Sequence, residues 1–156
     1  LYGELFVNME SFTERTTEVK KALLNAWQKL FLPTVINQQL KSGISAFEKA
    51  ILQTLEKQLN TVKNGFQADN STSIRSQFIL EWFKTHAAAF PHRLFEQQQY
   101  FIREGLFEAY NQWLFGGAAN IASFQNWTRS HPEEYQAFTK FQRQKLFVLN
   151  PGQYYK

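Results

Sequence analysis

The chain has 156 residues, 44% hydrophobic and 19% charged, which suits one folded domain and excludes the charge-rich, aromatic-poor composition of disorder. It contains no cysteine, which removes disulfides, thiolate chemistry and Cys-ligated zinc, and no run of eighteen apolar residues able to span a bilayer as a helix. Its net charge of +4 is spread evenly: residues 1–78 carry nine basic and seven acidic groups, and residues 79–156 carry eight and six. The one local excess is Lys140, Arg143, Lys145 and Lys156, so the concentrated patch that phosphate neutralisation needs is missing and nucleic acid is not the expected partner. Aromatic residues reach 17%, with sixteen Phe, six Tyr and four Trp, which predicts a core built on rings. The sequence begins at Leu1 rather than Met, and the reading is a soluble domain belonging to a longer chain, its compartment unknown.

From the N-terminus, Leu5, Met9, Phe12, Thr16, Val19, Leu23, Ala26 and Leu30 recur at spacings of four and three, predicting one long helix over 4–32. Glu14 and Glu18 precede Lys20 and Lys21 at spacings suited to weak ion pairs on its outer face. After Pro33, the stripe from Leu40 through Phe47 and Leu55 to Phe66 predicts a second long helix, with Gly43 as a close crossing or break and Asn64-Gly65 as its terminator. The polar run Asp69 to Ser73 offers N-caps for a third helix, carrying Ile74, Phe78, Trp82 and Phe83 and stopping near Phe90 before Pro91. Pro91 opens a fourth, with Leu94, Phe95, Phe101 and Leu106 to Leu114, which Gly116-Gly117 should end. Two short helices follow, one opened by Asn120 and one by the capping box Ser130 to Glu133 with Pro132 in its first turn. No segment alternates with period two for long enough to build a sheet. The expected fold is all-α: a single domain over 1–156 with four long helices in 1–115 as an up-and-down bundle, a two-helix hairpin in 116–146, and a short extended tail in 147–156.

Catalytic constellations are not found in the sequence. His92 and Glu96, four apart at a helix start, and Glu104 and Glu108 at the same spacing suggest a metal site only loosely, because the Glu-x-x-His pairs of di-metal bundles are missing. There is no Gly-x-Ser-x-Gly, no phosphate loop and no cofactor fingerprint, so neither enzyme activity nor a cofactor is expected. Asn70-Ser71-Thr72 and Asn126-Trp127-Thr128 match the N-glycosylation pattern, which short chance matches explain. Gln97-Gln98-Gln99 and Gln38-Gln39, among sixteen Gln, read as solvated helix surface.

The densest aromatic stretch is Tyr100 to Trp127, and rings that are apolar at one end and hydrogen-bonding at the other favour interfaces. Tyr110, Trp113 and Trp127 are therefore the candidate partner-binding residues. In the same region, Ala109-Tyr110-Asn111-Gln112-Trp113-Leu114-Phe115-Gly116, then Phe124 and Trp127, then His131-Pro132-Glu133-Glu134-Tyr135 resemble a degenerate tetratricopeptide-type hairpin over residues 105–141. The small residues of that repeat are replaced by Glu108, Asn120 and Trp127. The resemblance, to the C-terminal region of bacterial tetratricopeptide-containing proteins, implies scaffolding or partner binding. The tail places Phe147, Leu149, Tyr154 and Tyr155 within ten residues, which predicts docking on the bundle through a turn at Asn150-Pro151-Gly152; the rival is presentation of Tyr154 and Tyr155 to a partner. The functional expectation is a non-catalytic domain that binds a protein or peptide. The alternative is a sensory or ligand-binding bundle whose rings enclose a small apolar molecule.

Overall fold

A computed structural model describes residues 1–59, 62, 64–145 and 147–151, and among these the regular structure is entirely helical. Its elements are α1 (Tyr2–Met9), α2 (Glu14–Leu30), α3 (Val35–Leu40), α4 (Ala46–Glu56), α5 (Ala68–Thr85), α6 (Arg93–Arg103) and α7 (Phe107–Asn111). A π-helical turn, Gln112–Gly116, continues α7 into α8 (Gly117–Ala119); α9 (Ile121–Ser130) and α10 (Pro132–Gln144) complete the chain of helices.

The long helices expected from periodicity are broken, each for a local reason. Over 4–32 the apolar seam crosses a turn at residues 10–13, where hydroxyls compete with the helix ladder: Ser11 donates to the Val7 carbonyl at 3.1 Å and Thr16 to the Glu10 carbonyl at 2.6 Å. Met9 and Phe12, assigned to the buried seam, are instead 53% and 70% exposed. The second segment breaks at residues 41–45, and α4 restarts on a capping box in which Ser45 and Glu48 satisfy each other's backbone N–H groups. It ends at Glu56, ten residues before Phe66, while Gly65 adopts φ +70° in the connection. The third helix starts earlier than the Asp69–Ser73 run suggests, because Gln67 is its N-cap, with Asn70 returning a bond to the Gln67 N–H at 2.8 Å. It also stops at Thr85 rather than near Phe90.

Further along, Gly105 at φ +69° divides the predicted fourth helix. Gly116-Gly117 does not terminate it: the chain passes through the π turn to Asn120, whose side chain caps α9 by accepting from the Ser123 N–H at 3.0 Å. Pro132 opens α10 as expected, but Ser130 is spent on the carbonyls of Asn126 and Trp127, so the predicted Ser130–Glu133 box is not made.

One contiguous core runs through all of this, and rings dominate it: Phe47, Phe66, Phe78, Trp82, Phe95, Phe101, Tyr110, Phe115 and Phe138 are buried. Helix α1 packs on α2, α5 touches α4, α6 and α7, and the π turn touches α2, α5 and α9. Gly3 permits the first of these contacts, since a Cβ there would lie 3.1 Å from Leu23 Cδ2. The tail docks through its described part: Phe147 is buried with the Arg93 guanidinium 5.5 Å from its ring centroid, and Leu149 packs on the core while Val148 faces outward. Gly152, Tyr154 and Tyr155 lie outside the described residues.

Candidate functional site

The core holds a charged pair. Glu4 on α1 and Arg75 on α5 form an ion pair with side-chain exposures of 4% and 2%, and a bare pair at that depth would be costly because both ions leave water. The surrounding groups offset the cost. Glu4 Oε1 accepts from Arg75, from Tyr110 Oη at 2.6 Å and from Gln98 Nε2 at 2.7 Å. Arg75 Nη1 donates to Asn111 Oδ1 at 2.5 Å, and Asn111 is itself oriented by donating to the Phe107 carbonyl at 2.6 Å. Asn8, one turn after Glu4, donates to Tyr110 Oη at 2.8 Å and accepts from Gln97 at 3.2 Å.

Four rings, of Trp27, Phe107, Tyr110 and Phe115, stand with centroids 5.3 to 5.7 Å from the Arg75 guanidinium carbon, so ring quadrupoles replace part of its hydration. Burial, and then the Glu4 charge, hold the Tyr110 hydroxyl well above its usual range, which keeps it a donor to the carboxylate. Tyr110 and Asn111 close α7 against Arg75, and Trp113, in the π turn that follows, lies beneath Lys20 of α2.

A cavity of about 160 Å³ adjoins the pair, bounded by Glu4, Arg75 and Gln98 on one side and by Leu23, Trp27, Leu55, Phe78 and Phe95 on the others. Exposed Leu1 and Ala26 also line it and mark its side toward solvent. Along its polar wall the Glu4 carboxylate and the Arg75 guanidinium compensate each other. The wall therefore offers hydrogen-bonding polarity at one edge of an otherwise apolar space.

The residues singled out from sequence fall in several places. Tyr110 is fully buried and committed to Glu4 and Asn8, so it presents no surface to a partner. Trp113 is 8% exposed and lies beneath the Lys20 ammonium. Trp127 is half-buried, stacked on His131 with centroids 4.8 Å apart and donating to Glu108 at 3.0 Å. These three are not brought into one groove. His92 is 3% exposed and stacks on Phe47, whereas Glu96 is exposed and faces Arg93 at 3.8 Å; among the described residues no group of three His, Asp or Glu side chains could hold a metal.

Gln97 and Gln98, read from sequence as solvated, are buried at 7% and 3%. Sequence reasoning passed over Glu4, Asn8 and Arg75 altogether and placed Gln97 and Gln98 on the wrong side of the helix. The available signal was position: Gln98 falls on the Leu94, Phe95, Phe101 stripe, and Arg75 sits three and four residues before Phe78 and Ile79. No protein-family model, curated protein or solved structure matches the chain.

Proposed function

We propose that the protein is a non-catalytic helical domain that binds a compact, neutral, largely apolar molecule in the cavity beside Glu4 and Arg75. The observation that carries this reading is the cavity itself: about 160 Å³ walled by aromatic and aliphatic side chains, with three buried polar groups converging on one edge. An apolar cavity of about 150 Å³ accommodates a benzene ring, which sets the ligand's size. The compensated wall sets its charge, since an ion entering here would lose its hydration without gaining a counter-ion.

Toluene tests it. Saturable binding by calorimetry, with thermal stabilisation rising with toluene concentration, is the expected result, and benzoate should not displace toluene from the cavity. Ala26→Phe places a ring at the exposed side of the cavity and should abolish toluene binding with little change in stability. Unchanged binding by that variant, or no binding by the parent protein, would overturn the proposal.

A second reading, a face for an amphipathic helix of a partner protein, is supported by a different observation. Tyr2, Met9 and Phe12 are 63%, 53% and 70% exposed, and Tyr2 and Met9 stand two helical turns apart on α1. Exposed Glu10 and Glu14 flank them, so the fitting partner helix is apolar on one face and basic at its margins. A Leu/Lys amphipathic peptide should bind, its Leu/Glu counterpart should not, and Met9→Ser with Phe12→Ser should remove the difference. Equal binding of the two peptides would count against this face.

A further inference from the structure

A second cleft, of about 310 Å³, lies on the other side of the π turn, where α2, the π turn, α9 and α10 meet. Its chemistry differs from that of the cavity. Lys20 Nζ stands 3.5 Å from the Trp113 ring centroid, and no carboxylate among the described residues lies within ion-pair distance of it. The neighbouring Lys21 takes the available partner, Glu18, at 3.1 Å. The rest of the cleft is aromatic and apolar, with Trp113, Phe124, Tyr135 and Ile121, and small Gly117 and Ala118 keep it open. Ile121 is 60% exposed, an apolar side chain left facing water at this site.

We propose that this cleft binds a small aromatic carboxylate, its anionic end meeting the Lys20 ammonium and its ring filling the space among Trp113, Ile121, Phe124 and Tyr135. The charge follows from Lys20, a half-buried cation lacking an acidic partner, for which a ligand carboxylate supplies the counter-ion. A single monovalent cation without an arginine fork matches one negative charge better than a phosphate dianion. The ring follows from the walls, whose faces and edges suit stacked or edge-on aromatic contact. The volume falls at the lower end of small-molecule sites and exceeds what a bare carboxylate fills. Burial pushes Lys20 down to about 7, while the indole face beneath it favours the charged form; a bound carboxylate adds to the second effect.

The test compares phenylacetate with phenylacetamide, its neutral counterpart of nearly equal shape, by calorimetric titration of the whole chain. Phenylacetate should bind about ten-fold tighter or more, roughly the effect of one charge-assisted hydrogen bond. Lys20→Gln should erase that preference, Lys20→Arg should retain it, and Lys21→Gln should leave it unchanged. The preference should also survive Ala26→Phe, which separates this cleft from the cavity proposed above. Equal affinity of the two probes, a preference that persists in Lys20→Gln, or no saturable binding of phenylacetate would each overturn the proposal. The comparison on the parent protein decides the matter even if a Lys20 variant folds poorly.

Discussion

At the scale of single residues, Glu4 and Arg75 are a commitment made jointly. Replacing either alone by an apolar residue of similar size, Glu4→Leu or Arg75→Met, strands a buried charge and should cost roughly 3–5 kcal/mol in urea unfolding. The double variant removes both ions and should recover a large part of that loss, so a double-mutant cycle should return a coupling well above that of surface pairs, about 0–1 kcal/mol. Burial favours the neutral form of His92. Burial, opposed by the Glu4 charge, lowers its pKa from 6.5 to about 4, so between those values the unfolded chain takes up a proton that the folded protein refuses. Its contribution is complete above pH 6.5 and disappears as pH falls toward 4. Urea midpoints over that range should fall more steeply for the parent protein than for His92→Phe, which keeps a ring between Phe47 and Phe95. None of these residues announces itself by composition: a charged or amide side chain inside an apolar stripe reads as a surface residue until its distant partner is known.

At the scale of elements, helix type was legible and helix length was not. Periods of three and four identify every major helix because an amphipathic face must turn once per 3.6 residues. The same periods continue across the breaks at residues 10–13 and 41–45, because the next helix resumes packing on the same core. What stops each helix is a few hydroxyl bonds, a cap or a left-handed glycine. Ser45→Ala, which removes one such cap, should cost about 1 kcal/mol and lower the thermal midpoint without changing the helical signal at low temperature. Gly116 tests the π turn. A Cβ there would lie 2.5 Å from Gln112 Oε1, which can swing away, and 3.0 Å from the Phe124 ring, which is held against Tyr135. Gly116→Val should therefore destabilise by roughly 1–3 kcal/mol as overpacking, and perturb Trp113 and Phe124 resonances before distant ones. Trp113, one of the sequence candidates, lines the cleft that holds Lys20. Its partner Lys20 was hidden because a lysine beside Glu18 reads as an outer-face ion pair, a role that Lys21 fills.

At the scale of the whole molecule, residues far apart in sequence close the core at both ends. Removing residues 147–156 withdraws Phe147 from its place against Arg93 and should lower stability by about 1.5–3 kcal/mol, the burial of one large apolar side chain. Unfolding that is unchanged by this truncation would show that the docking contributes nothing. At the other end the separations are larger: Glu4 meets Arg75 across 71 residues, Gln98 across 94 and Tyr110 across 106. Loop closure over such spans precedes any reward from the contacts it brings together. A chain growing from a ribosome presents Glu4 first and Tyr110 more than a hundred residues later. Throughout that interval α1 carries an acid whose only buried destination does not yet exist. The buried partners of Glu4 are complete only once α7 has been made. Glu4→Gln should accelerate unfolding while leaving the refolding rate nearly unchanged.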